Sequence, residues 1–177
     1  IKMPKMIMDT LINRGMALKV ETNIGIYEIP ATALKNYVKR YEAKDTLQID
    51  LTRTSQADIA SYGRSYPEVY TSGERIEVTL TGGKKKTTVN KLDDYMRIKL
   101  KLDIVGSYNY SNFYTYQYNY SAGSWVKYNN SIETQASSYL SFATVNTGLN
   151  AIYEKKTATT SMASSYNMNT LASAYNI

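Results

Sequence analysis

Apolar residues recur along this chain with two periods, and each predicts a different element. In residues 4–14, PKMIMDTLINR, Ile7 and Leu11 stand four apart, with Met3 and Met8 extending the stripe. That is the spacing of one helix face. Pro4 suits the first turn and Gly15 the stop. Elsewhere the period is two. Met16, Leu18 and Val20 alternate with Ala17 and Lys19; Asn23-Ile24-Gly25 turns the chain and Ile26-Tyr27-Glu28-Ile29 returns. Pro30 opens a second short helix, ATALKNYVKRY, with Leu34, Val38 and Tyr41 on one side. Leu47–Leu51 is again a strand.

Residues 54–73 are polar, with Gly63, Pro67 and Gly73, and predict a loop in which Tyr66–Tyr70 form a short edge strand. Ile76, Val78 and Leu80 then alternate with Arg75, Glu77 and Thr79, and Gly82-Gly83 turns into residues 86–90. Ile98, Leu100, Leu102 and Ile104 alternate with Arg97, Lys99, Lys101 and Asp103, a half-buried strand with charges outward. Short strands follow at Ser131–Thr134, Tyr139–Val145 and Asn150–Glu154. About ten short strands with regular turns predict a mainly β fold, an antiparallel β-sandwich with two short N-terminal helices. Residues 1–155 would form it, either whole or as subdomains 1–105 and 106–155. Residues 156–177 read as a Thr/Ser/Ala-rich linker and the start of a following segment.

The most regular alternation is aromatic. Tyr108, Tyr110, Tyr114, Tyr116, Tyr118 and Tyr120 share one parity, and Asn109, Ser111, Phe113, Thr115, Gln117 and Asn119 the other. Residues 121–124 turn the chain and Trp125–Tyr128 return it. Two uses of this ladder are open. The rings can cover the edge of a sandwich core, with hydroxyls reaching water. They can also form a platform that stacks sugar rings, built from Tyr116, Tyr118, Trp125 and Tyr128, with Gln117 and Asn119 bonding sugar hydroxyls.

Composition narrows the chemistry. There are 18 Tyr but two Phe, one Trp, and neither Cys nor His. Without Cys there is no disulfide, thiol nucleophile or thiolate metal site; without His the commonest general base and metal ligand are gone. No cofactor or metal is expected, and the chain reads as non-enzymatic. The adjacent carboxylates Asp93-Asp94 are placed in a turn, where successive side chains diverge and suit shared acid–base work poorly. Net charge is +6, yet the Lys and Arg are scattered. The single run, Lys84-Lys85-Lys86, sits at a hairpin tip and blunts an edge. No nucleic-acid motif or apolar membrane span is present. The missing initiator Met suggests a fragment of a longer protein. Asn109, Asn119 and Asn129 match a glycosylation acceptor pattern that a chain rich in Asn and Ser meets by chance.

Three passages together resemble a known family. They are Leu11, Gly15, Leu18–Thr22, Gly25, Ile29-Pro30 and Leu34; then Tyr114–Asn119 with Gly123-Ser124-Trp125-Val126; then Ser138–Tyr153. The combination is similar to a β-sandwich module of bacterial, mainly clostridial, cell-surface proteins that often precedes S-layer homology repeats. The resemblance spans roughly residues 1–155 and carries no catalytic residues. It implies an extracellular role at the cell surface or cell wall, as scaffold or adhesion module. The implied partners are neighbouring domains of the same protein and, for a binding module, cell-wall or plant polysaccharide. Some related sandwiches cut their own chain with a His before a Ser or Thr. At the comparable Tyr139–Phe142 no His is present, so self-cleavage is not expected.

Overall fold

A computed structural model of the protein describes residues 1–52, 62, 68–102, 110–120, 122–129, 131–134 and 138–155. Its longest strand, β5 (Glu68–Gly82), runs through the larger of two antiparallel sheets. Beside it lie β1 (Lys2–Pro4), β4 (Thr46–Thr52), β6 (Lys85–Val89), β8 (Phe113–Asn119), β9 (Ser124–Tyr128) and β12 (Gly148–Lys155). The seven strands follow the order β1-β4-β5-β12-β8-β9, with β6 pairing on β5. The second sheet has the order β10-β11-β7-β3-β2, from β10 (Ser131–Thr134), β11 (Ser138–Asn146), β7 (Lys91–Lys101), β3 (Gly25–Pro30) and β2 (Ala17–Glu21). The mainly β antiparallel sandwich expected from the period-two pattern is the fold. Each sheet takes strands from both sides of residue 105, since β7 pairs with β11 and β5 with β12.

One core joins the sheets. Ile49, Ile76, Val78 and Leu80 from the larger sheet meet Tyr27, Ile29, Met96, Ile98, Leu100, Leu140 and Phe142 from the smaller. The buried positions of β7 are the even ones, so the charged odd residues point away as alternation requires. A polar strut also crosses the sandwich. The Tyr27 hydroxyl and Thr22 Oγ1 both donate to Glu74 Oε2 on β5, at 2.9 and 2.8 Å.

Local chemistry departs from the sequence expectation at several places. The first helix, α1 (Lys5–Asn13), buries Met8 and packs Leu11 and Ile12 against the core, while Ile7 is 45% exposed. Residues 8, 11 and 12 are also a helical stripe, rotated from the one predicted. Met3 belongs to β1 instead. Burying Met8 contributes about 1.5–3 kcal/mol. The second helical segment is a 3₁₀ turn (Ala31–Leu34) running into α2 (Lys35–Val38); it buries Leu34 and Val38 as expected but ends before Tyr41, which is buried from the loop that follows.

Residues 68–70 open the long strand β5, paired with β12, and Gly73 continues it, so the predicted loop ends earlier. The remainder of that loop except Tyr62, together with Tyr108, Ile104 and residues 156–177, lies outside the described residues. Asp93 and Asp94 lie within β7 rather than in a turn. Asp93 Oδ2 accepts the Asn36 backbone N–H at 2.8 Å, and Asp94 Oδ2 accepts the Thr32 hydroxyl at 3.4 Å. The start of a helix leaves N–H groups without intrahelical partners, and Asp93 supplies one from a distant strand. The two carboxylates diverge to separate structural duties.

Candidate functional site

Strand β8 is buried on both faces, and the two faces do different things. Tyr110–Asn112 form a 3₁₀ turn, so within the described residues the ladder proper holds Tyr114, Tyr116 and Tyr118, and Tyr120 leaves it at the turn. Register places Tyr116 beside Ala151 of β12 and Lys127 of β9, and Tyr118 beside Trp125. Tyr116, Tyr118, Trp125 and Ala151 form a second, smaller apolar cluster with Tyr114, Leu149, Tyr153 and Tyr62, distinct from the sandwich core. Tyr116 is only 1% exposed.

The rings in this cluster meet edge to face. Tyr116 and Tyr153 lie 5.3 Å apart at 84°, Tyr118 and Trp125 5.4 Å apart at 73°. Such contacts place the positive edge of one ring on the negative face of the next. Trp125 Nε1 donates to Tyr62 O at 2.9 Å. The Lys127 ammonium sits 3.2 Å from the centroid of the Tyr114 ring, a cation–π contact.

The opposite face of β8 looks into the sandwich and carries Phe113, Thr115 and Gln117. Gln117 is 3% exposed and uses its whole amide. Nε2 donates to Asn146 O at 3.0 Å and Asn150 Oδ1 at 3.1 Å. Oε1 accepts from the Tyr128 hydroxyl and Thr144 Oγ1, both at 3.0 Å. Two donors and two acceptors are thereby satisfied, which fixes the amide's orientation. Tyr128 and Thr144 are themselves 3.1 Å apart, so two hydroxyl protons serve three short contacts. The network ties β8, β9 and β12 of one sheet to β11 of the other.

Beside this network, where the chain crosses between sheets from β11 to β12, lies a cleft of about 470 Å³. Gln117 and Tyr128 reach its inner part; Arg75 and Glu77, paired with each other, form a wall. Tyr120 stands at that wall with the Arg75 guanidinium 5.4 Å from its ring centroid. The corner is pinned by Thr147, whose N–H donates to Asn90 O at 3.2 Å and whose Oγ1 donates to Val89 O at 2.8 Å. Gly148 follows at φ +126°, a backbone setting that disfavours any side chain, and a Cβ there would stand 3.2 Å from the Tyr120 ring. Burial holds the Tyr120 phenol above its ordinary pKa. Arg75 opposes the rise, while Tyr62 and Glu77 add to it.

The six ligand-binding candidates therefore occupy different surroundings. Tyr116, Tyr118 and Trp125 share the outer cluster, whereas Gln117 and Tyr128 share the inner network. Asn119 lies at the end of β8, where its Oδ1 accepts the Ala122 N–H at 3.2 Å. The cleft brings together Gln117, Tyr118, Asn119 and Tyr128 but not Tyr116 or Trp125. Sequence reasoning missed Arg75, Glu77, Asn90 and Asn146 as cleft residues. Each reads as an ordinary outward or turn position, and only tertiary pairing joins them to Tyr120.

Among the described residues, no three His, Cys, Asp or Glu side chains are grouped so as to hold a metal ion, and no helix is long and apolar enough to cross a membrane. No family model, curated protein or solved structure matches this chain.

Proposed function

We propose that this chain is a non-catalytic structural module of a bacterial cell-surface protein, extracellular, serving as a scaffold or adhesion unit beside neighbouring domains. The observation that carries this reading is that the tyrosine ladder is used for packing. Tyr116 is almost wholly buried, and its neighbours interlock edge to face rather than lying as one flat stacking surface. The adjacent carboxylates, the remaining candidates for hydrolytic chemistry, serve a helix start and a neighbouring threonine. The cross-sheet Glu74 strut and the Gln117 network favour rigidity, which suits a spacer. The surface location rests on the sequence resemblance.

Two measurements test it. Antibody raised against the chain should label intact cells of its source bacterium; labelling only after lysis would overturn the location. Trp125→Ala should lower the unfolding midpoint while leaving migration through polysaccharide-containing gels unchanged. A variant with unaltered stability but abolished retardation would make the ladder a binding platform and end the packing argument.

A further inference from the structure

We propose that the corner cleft between β11 and β12 binds a short stretch of neutral polysaccharide, with Tyr120 as its aromatic contact. This does not rest on the surface-module reading, since a scaffold and an intracellular protein could each carry such a site. Its volume of about 470 Å³ lies within the ~300–1,000 Å³ usual for small-ligand sites.

The lining decides the ligand class. Asn90, Asn119, Asn146 and Thr88 are exposed at the cleft. Amides and hydroxyls both donate and accept, which matches the mixed character of sugar hydroxyls. The cleft's cation, Arg75, is matched by Glu77, so the site presents no net charge for a phosphate or a carboxylate. Val126 is the sole aliphatic side chain among the lining residues, and beside it the apolar lining comes mainly from the rings of Tyr118, Tyr120 and Tyr128, a surface suited to stacking a sugar ring. Tyr120, 46% exposed, is held against Gly148 and Arg75 and offers ring surface to the apolar C–H face of a pyranose. The satisfied Gln117 network beneath keeps the inner wall in place, so little ordering cost falls on binding.

The test is a titration of the isotope-labelled 177-residue chain with cellohexaose, xylohexaose and chitohexaose, followed by backbone amide shifts. The proposal expects shifts for at least one probe concentrated at Asn90, Asn119, Tyr120 and residues 146–148. Tyr120→Ala should weaken that binding roughly tenfold. Asn90→Ala, at an exposed position, should weaken it about threefold while keeping the native spectrum, which guards against misfolding of the Tyr120 variant. Inorganic phosphate should produce no comparable shifts. No response to any of the three sugars at millimolar concentration, shifts centred on Tyr114 and Trp125, or an equal response to phosphate would overturn the proposal.

Discussion

Replacing Gln117 by Leu tests whether the sandwich is closed by its polar network or merely tolerates it. The substitution keeps the bulk but removes both amide donors and the carbonyl acceptor. Thr144 and Tyr128 can re-pair with each other, since they already stand 3.1 Å apart. Asn146 is the exposed last residue of β11, so its carbonyl can recruit water. Asn150 has no such escape: it is fully buried, and its Nδ2 is engaged by Gly148 O at 3.2 Å. Its Oδ1 would lose the Gln117 bond in place. One stranded buried acceptor costs about 1–3 kcal/mol, and the lost bonds bring the expected total to roughly 2–4 kcal/mol. For a domain of this size that corresponds to roughly 4–16 °C in Tm. Urea unfolding followed by circular dichroism and by the fluorescence of Trp125, the single tryptophan and a neighbour of the network on β9, measures it. Tyr128→Phe is the control. It removes one hydroxyl while Thr144 still donates to Gln117, so its cost should stay below about 1 kcal/mol. A Gln117→Leu variant within about 0.5 kcal/mol of the parent, the range of ordinary surface changes, would refute the reasoning.

Other expectations follow from single contacts. Gly82→Ala places a Cβ 2.7 Å from the Tyr41 ring, whose hydroxyl bonds Leu80 O and Thr87 Oγ1, and should cost about 2–3 kcal/mol by urea unfolding. Gly15→Ala meets no atom within 4 Å but sits at φ +61°, so only the backbone term of about 1–2 kcal/mol should appear. If the two variants cost the same, the Tyr41 clash is not what matters. Tyr27→Phe removes one of two hydroxyls that donate to Glu74 across the sandwich and should lower stability by about 1–2 kcal/mol; no change in the urea midpoint would show the strut to be idle. Tyr120 binds its proton more tightly folded than unfolded, mainly through burial. Its contribution is therefore fully present below the ordinary tyrosine value of 10.0 and is lost as pH rises through the raised one. Tyr120→Phe should flatten the alkaline fall in the urea midpoint, and an unchanged slope would count against that burial.

Much of the architecture was legible because period two is a local property. The hairpin around Asn23–Gly25 and the charged-out strand at Lys99 and Lys101 needed only alternation and turn chemistry, and each lies where expected; the turn expected at Gly82-Gly83 lies one residue on, at Gly83-Lys84, with Gly82 closing β5 opposite Lys85. The stripe of α1 was harder. Ile7–Leu11 and Met8–Leu11–Ile12 are equally helical, and the choice between them depends on how the helix rolls onto the core. The candidate site was legible only in part. Gln117, Tyr118, Asn119 and Tyr128 stand out from the ladder, but Arg75, Asn90 and Asn146 are remote in sequence and carry no local mark.

By itself, the sequence determined the class of fold, the absence of thiol and imidazole chemistry, and the existence of two distinct faces on the tyrosine strand. It could not say which face turns inward, because alternation is symmetric: shifting the frame by one residue gives the same period. Hydrophobicity alone would send the rings into the sandwich. The tertiary structure does the reverse, because β12 and β9 flank β8 in a register that sets Asn150 and Val126 beside Gln117 on the inner side and Ala151 and Lys127 beside Tyr116 on the outer. An amide with all its hydrogen bonds met can face a core, and rings that interlock with one another can leave it. Those partners come from strands far apart in the chain, so only the assembled sheets bring them together.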